Sequence, residues 1–179
     1  MGYGLSAAIG ACLGNGGRLT VAVESDGSIM LNLQELATLR GSNLPVKLII
    51  MDNGGYASIR NTQRNYFNSR YIATGPESSL HIPDLTLIAK SFGIPAKSVH
   101  AIQDLQLELD ALMSTKGPSV LVVKLNTSES LWPKVSALPQ KNGTMLSMPL
   151  EDMSPLLSLE ALKEEMIVPL ERASIEARL

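Results

Sequence analysis

The sequence predicts an α/β fold: a three-layer open parallel sheet with helices on both faces, followed by an extended C-terminal tail. Three observations carry this. Short apolar runs at 19–23, 46–51 and 119–125 have no polar alternation, as strands buried on both faces require. Helical patterns lie between them, and strands alternating with helices imply right-handed βαβ units. After Asn126 the periodicity fades and prolines appear at 133, 139, 149 and 155.

The first element expected is a helix over Leu5–Leu13 (LSAAIGACL), whose small residues allow close approach to a neighbour. Gly14-Asn15-Gly16-Gly17 ends it with positive-φ options. Leu19–Val23 reads as a buried strand, and Ile29–Arg40 as a helix with Ile29, Leu33 and Leu36 on one face. Val46–Met51 is the second buried strand. A helix over Ala57–Phe67, a polar loop through Ser79 and a helix over Pro83–Phe92, with proline in its first turn, follow. A short strand at Ser98–Ile102, a helix at Leu105–Met113 and the strand Ser119–Leu125 complete the α/β region. The expected division is therefore a domain over 1–126 and a tail over 127–179 that closes with a short helix at Leu159–Ile167.

Composition narrows the function classes. A formal net charge of −2 speaks against nucleic-acid binding, which needs a basic face. The single cysteine, Cys12, permits no intrachain disulfide and is expected to be a core thiol. No apolar run approaches the roughly 20 residues that span a bilayer, and no basic region precedes the small-residue N-terminus. A cytoplasmic protein without a membrane segment is the expectation. Beginning on Met1-Gly2-Tyr3-Gly4 with no leading strand suggests a chain cut from something longer. His81 and His100 stand alone in loop-like surroundings and are expected to be ordinary surface or packing residues.

Two loops carry the chemistry. Ser25-Asp26-Gly27-Ser28 and Asp52-Asn53-Gly54-Gly55 each follow a buried strand, and ligands of open parallel sheets bind outside those strand ends. Asp26 offers a carboxylate, Asn53 an amide oxygen and the Gly54-Gly55 turn a backbone carbonyl. Such hard oxygens suit Mg2+ or Ca2+, and Mg2+ completes its shell with phosphate oxygens and water. The expected helix at Ile29 would aim its N-terminus at the same point, favouring an anion. Gly27 allows close backbone approach, and Ser28 adds a hydroxyl donor. Each loop alone is ordinary turn chemistry. Their joint placement, with a strand, helix and strand between Asp26 and Asn53, describes a metal–diphosphate site.

The stretch SDGSIMLNLQELATLRGSNLPVKLIIMDNGG resembles the signature of thiamine diphosphate (ThDP) enzymes, Gly-Asp-Gly followed at a distance by Asn-Asn. MGYGLSAAIGACL, LNLQELATL, NLPVKLIIM and the tail phrase PLEDMSPLL are similar to acetolactate synthases, over most of residues 1–125 and part of the tail. The resemblance implies the diphosphate-binding domain of the ThDP-binding fold. It implies Asp26, Asn53 and Gly55 as metal ligands and Gly27 and Ser28 as diphosphate contacts. Met1 would prop the cofactor in its bent form, and Gly2 and Gly4 would line its aminopyrimidine side. Apart from the resemblance, Tyr56 directly follows the second loop and is a candidate for an active-site wall. Two positions depart from the pattern: Ser25, also expected among the cofactor-binding residues, replaces its first glycine and adds a Cβ in a tight turn, and Asp52 replaces its first asparagine.

The family's activating glutamate lies on a separate pyrimidine-binding domain, of the same or a partner chain, and neither Glu24 nor Glu35 can serve. No catalytic residue is therefore expected in this chain, which should be inert alone. The implied cofactors are ThDP and Mg2+, the substrate a small 2-keto acid, and the assembly a homodimer or homotetramer. Two rivals stand beside this reading. Gly2-x-Gly4-x-x-Ala7 with Glu24 could form a Rossmann-type nucleotide site, but that fingerprint needs a strand before the first glycine. A cofactor-free, partner-binding domain is the other, against which Asp26 and Asn53 both argue. Arg60, Gln63 and Arg64, on the helix after the second loop, could face an anionic substrate or solvent, and solvent is the expectation.

Overall fold

The computed structural model describes residues 1–128, 132–135, 137–139 and 142–178. Two compact units divide the chain, Met1–Ser128 and Glu129–Leu179. In the first, a parallel sheet has the strand order β1-β2-β4-β3, from β1 (Thr20–Ser25), β2 (Val46–Asp52), β3 (Ala96–Val99) and β4 (Ser119–Lys124). Helices α1 (Gly4–Gly14), α3 (Glu35–Gly41) and α5 (Leu85–Ser91) pack on one face, and α6 (Leu105–Ser114) on the other. Alternation along β2 serves both layers. Val46, Leu48 and Ile50 join Leu5, Cys12, Leu36, Leu39 and Leu85 in the larger core, while Ile49 packs toward Leu112 and Leu121.

Register fixes where the two loops meet. Ser25 pairs with Met51 across β1 and β2, so the next residues, Asp26 and Asp52, leave adjacent parallel strands at the same level. This edge is the carboxyl end of the sheet.

One buried charge belongs to the scaffold. Lys47, 1% exposed near the start of β2, donates from Nζ to the carbonyls of Thr115 and Gly117, just past the end of α6. A cation suits the C-terminal carbonyls of a helix. Replacing Lys47 with Ala is expected to cost about 2–4 kcal/mol, since it opens a cavity and strips two partly buried acceptors of their donor. Urea unfolding measures this, and a loss under about 0.5 kcal/mol would contradict the assignment.

Local structure departs from the sequence reading in four places. Strand β1 is not buried on both faces: it is an edge strand, with Val21 50% and Val23 66% exposed opposite the face on which Ala22 packs, partly buried, against the core. The helix expected over 29–40 is two helices, α2 (Asp26–Ile29) and α3, joined by turns. Ile29 and Leu36 are buried and Leu33 packs against the core, so the periodic pattern is satisfied across a break it cannot reveal. The edge strand β3 lies at Ala96–Val99, where its ladder with Val120–Val123 places it, rather than at 98–102. The second unit holds more regular structure than an extended tail: an antiparallel hairpin of β5 (Ala137–Pro139) and β6 (Met145–Ser147), then α7 (Leu159–Glu165) and α8 (Arg172–Glu176). Within it, Arg178 pairs with the buried Asp152. No helix among the described residues is long and apolar enough to cross a membrane.

Candidate functional site

Asp26 opens the four-residue helix α2 directly after β1 and is fully buried. Its carboxylate accepts from the Gly27 N–H at 2.8 Å on Oδ1 and from the Gly55 N–H at 2.7 Å on Oδ2. The second bond ties the two loops together. Gly27 lies under the Tyr56 ring, where a Cβ would come within 2.6 Å of two ring carbons and 3.5 Å of the Gly55 carbonyl oxygen. The Gly55 carbonyl thus stands beside the Asp26–Gly27 turn. Ser28 Oγ accepts from the Gly2 N–H at 2.8 Å, and the Asn32 side-chain amide donates to the Gly2 carbonyl, which docks the chain start on this turn.

In the second loop, the Asn53 Oδ1 is buried with no hydrogen-bond partner among the described residues. A buried acceptor left unpaired costs roughly 1–3 kcal/mol, which a cation bound there would offset. Asp52 accepts from the Gly54 N–H at 3.0 Å and forms an ion pair with Lys124, its register partner on β4. Burial holds the Asp26 carboxyl above the ordinary range; the Gly27 and Gly55 N–H groups pull it down, and the nearby Asp52 pushes it up. Lys124 answers the Asp52 charge, whereas Asp26 is met by the Gly27 and Gly55 N–H groups. Among the described residues no three His, Cys, Asp or Glu side chains cluster to hold a metal. A cation here would draw on one carboxylate, one amide oxygen and one carbonyl, a set that fits a hard divalent ion with positions left for phosphate oxygens and water.

The sequence candidates therefore divide. Asp26, Gly27, Ser28, Asn53, Gly55 and Tyr56 stand around the two loops, and Gly2 joins them through Ser28. Gly4 lies against the Glu24 carboxylate, which would collide with any side chain there. Met1 is 73% exposed. Ser25 departs from expectation: its backbone is extended (φ −103°, ψ 154°), so its Cβ sits in no strained turn. The helix that follows β1 is also shorter than expected, a single turn with little macrodipole, so any help to an anion would come from individual N–H groups.

Arg60 and Gln63 were expected in solvent and instead fasten the loop. Arg60 Nη2 donates to the Asn53 carbonyl at 2.8 Å, and Gln63 exchanges hydrogen bonds with both backbone groups of Ile72. Thr74, 1% exposed, accepts from the Tyr56 N–H at 3.0 Å. Sequence reasoning missed Thr74 and Lys124, since nothing in their local context marks them. Cys12 is a buried thiol, as expected. His81 and His100 are exposed.

A family model described as thiamine pyrophosphate enzyme, C-terminal TPP binding domain, matches residues 1–123. The chain is 33% identical over 135 residues to the acetolactate synthase isozyme 2 large subunit of Escherichia coli (strain K12), covering 75% of this chain and 24% of that protein. It is 33% identical over 148 residues to the acetolactate synthase large subunit of Cyanidium caldarium, covering 83% and 25%. Among solved structures, the thiamine diphosphate-dependent 4-hydroxybenzoylformate decarboxylase of Rhodococcus jostii RHA1 superposes with a TM-score of 0.62 at 26% identity, over 73% of this chain and 24% of that one. The chain spans about a quarter of the length of the curated relatives it matches.

Proposed function

Since this chain belongs to the thiamine pyrophosphate enzyme family through its C-terminal TPP-binding domain, we propose that it is the magnesium- and diphosphate-holding part of an acetolactate synthase-like enzyme acting on a small 2-keto acid. The observation that carries the metal reading is the buried, unpartnered Asn53 amide oxygen on the loop that Asp26 grips through Gly55. Asp26, Asn53 and the Gly55 carbonyl would hold Mg2+, while Gly27 and Ser28 would meet the diphosphate. When bound, thiamine diphosphate supplies the carbon nucleophile and electron sink of 2-keto acid chemistry. This chain's own groups bind and orient: Asp26 brings the charge, Tyr56 walls the site over Gly27, and Gly2, tied to Ser28, sets the path of the chain toward the aminopyrimidine side.

The activating glutamate would come from a pyrimidine-binding domain of the same or a partner chain, in a homodimer or homotetramer. The 179-residue chain is then a binding module without turnover. Calorimetry tests this: ThDP with Mg2+ is expected to give binding heat that vanishes without the metal, and NAD none. Heat from NAD instead would favour the nucleotide rival, and silence from all three a cofactor-free domain. The same preparation is expected to convert no pyruvate, and measurable turnover would refute the division of labour.

A further inference from the structure

We propose that Arg60 is a positioning residue for this site, holding the Asn53–Gly55 backbone so that the Asn53 amide oxygen and the Gly55 carbonyl stand where a cation can use them. The inference rests on the metal reading above.

The helix that carries it, α4 (Ala57–Tyr66), buries none of its side chains, so packing is not what it contributes. Its contribution is hydrogen bonding from one face. Arg60 and Gln63, three positions apart, sit side by side on a helix surface. The Arg60 guanidinium reaches carbonyls of three segments: Asn53 at 2.8 Å, Thr74 at 3.3 Å, and Gly54 and Thr127 at 3.5 Å each. The first is a well-formed bond and the last two are weak, so Asn53 is the point of grip. Gln63 holds Ile72 at both its N–H (3.0 Å) and its carbonyl (3.2 Å), which keeps Thr74 in place to accept from Tyr56.

The consequence is a sorting of carbonyls. Those of Asn53 and Gly54 are drawn to Arg60, and that of Thr74 to Tyr56 and Arg60. Among the described residues no donor reaches the Gly55 carbonyl, which is left for a cation. Fixing the Asn53 backbone also fixes the root of its side chain. A planar fork with five donors can reach carbonyls of three segments from one fixed plane, a geometry that the compact ammonium of a lysine does not reproduce.

The test uses the 179-residue chain with Arg60→Met and Arg60→Lys, and two readouts. Mn2+ affinity in the presence of ThDP, from the free-ion signal in electron paramagnetic resonance, is expected to fall at least tenfold in Arg60→Met and about threefold in Arg60→Lys. Exchange of the Gly55 amide hydrogen, followed by NMR in the metal-free protein, is expected to speed up at least tenfold in Arg60→Met. Core amides such as Leu48 and Leu121 should exchange as in the wild type, which a merely structural loss would not allow. Wild-type Mn2+ affinity in both variants, or unchanged Gly55 exchange, overturns the proposal; should Arg60→Met fail to fold, Arg60→Lys decides it. A wild-type chain that binds no Mn2+ with ThDP would overturn the site reading itself, and the metal-free exchange rates would still decide whether Arg60 holds the loop.

Discussion

Replacing Asp26 with Ala is expected to abolish Mg2+-dependent binding of ThDP, with affinity falling at least about 100-fold, roughly 2.7 kcal/mol. Of the three oxygen donors, Asp26 alone carries charge, and Mg2+ is typically held by only one or two carboxylates. The loss is double. The same carboxylate accepts from the Gly27 and Gly55 N–H groups, so its removal also frees the second loop from the first. Asp26→Asn separates the two effects: one amide oxygen can still accept, but the amide nitrogen would confront an N–H donor. It is expected to lose metal binding nearly as fully, because charge is gone, while the fold suffers less. Thermal unfolding with and without Mg2+ and ThDP reads both at once, since a ligand that binds only the folded state raises the melting temperature. A ligand-induced shift in Asp26→Ala equal to that of the wild type would show the site to be elsewhere.

How much of this was legible in the sequence depends on the range of the interaction. The two loops were legible because each is a local turn after an apolar run, and strand register then brings Asp26 and Asp52 level. The broken helix was not, since Ile29, Leu33 and Leu36 keep one periodicity through the break. Edge exposure of Val21 and Val23 was also hidden, because a run of apolar residues looks the same whether a layer covers it or not. Asp52 read as a departure from the family pattern. Its partner Lys124 lies 72 positions away, and only the β2–β4 pairing brings the two together. Arg60 failed for a subtler reason. A polar helix face reads as solvent-facing when its partners are backbone carbonyls, which every residue has and no sequence pattern displays.

Gly55→Ala is expected to do damage comparable to losing Asp26, by steric means alone. Gly55 has φ +140°, a conformation that side chains of L-residues rarely adopt, and a Cβ there would overlap the Thr74 carbonyl oxygen and approach Leu80 Cδ2 to 3.2 Å. Thr74 is buried and held by its own bond to Ser78 Oγ at 2.9 Å, so it has little room to retreat. The loop must yield instead, carrying the Gly55 N–H from Asp26 and the Tyr56 N–H from Thr74. We expect a stability loss of about 2–4 kcal/mol and no detectable metal-dependent ThDP binding. Gly54→Ala is the control, since it shares a positive φ (+75°) but a Cβ there meets only Thr127 Cγ2 at 3.3 Å. It should cost about 1 kcal/mol and retain binding. Urea unfolding and calorimetry on the pair decide the matter: equal, small losses would mean that backbone strain alone is at work. A large gap between them would mean that the loop is built around Gly55 itself, through its φ of +140° and its close contact with Thr74.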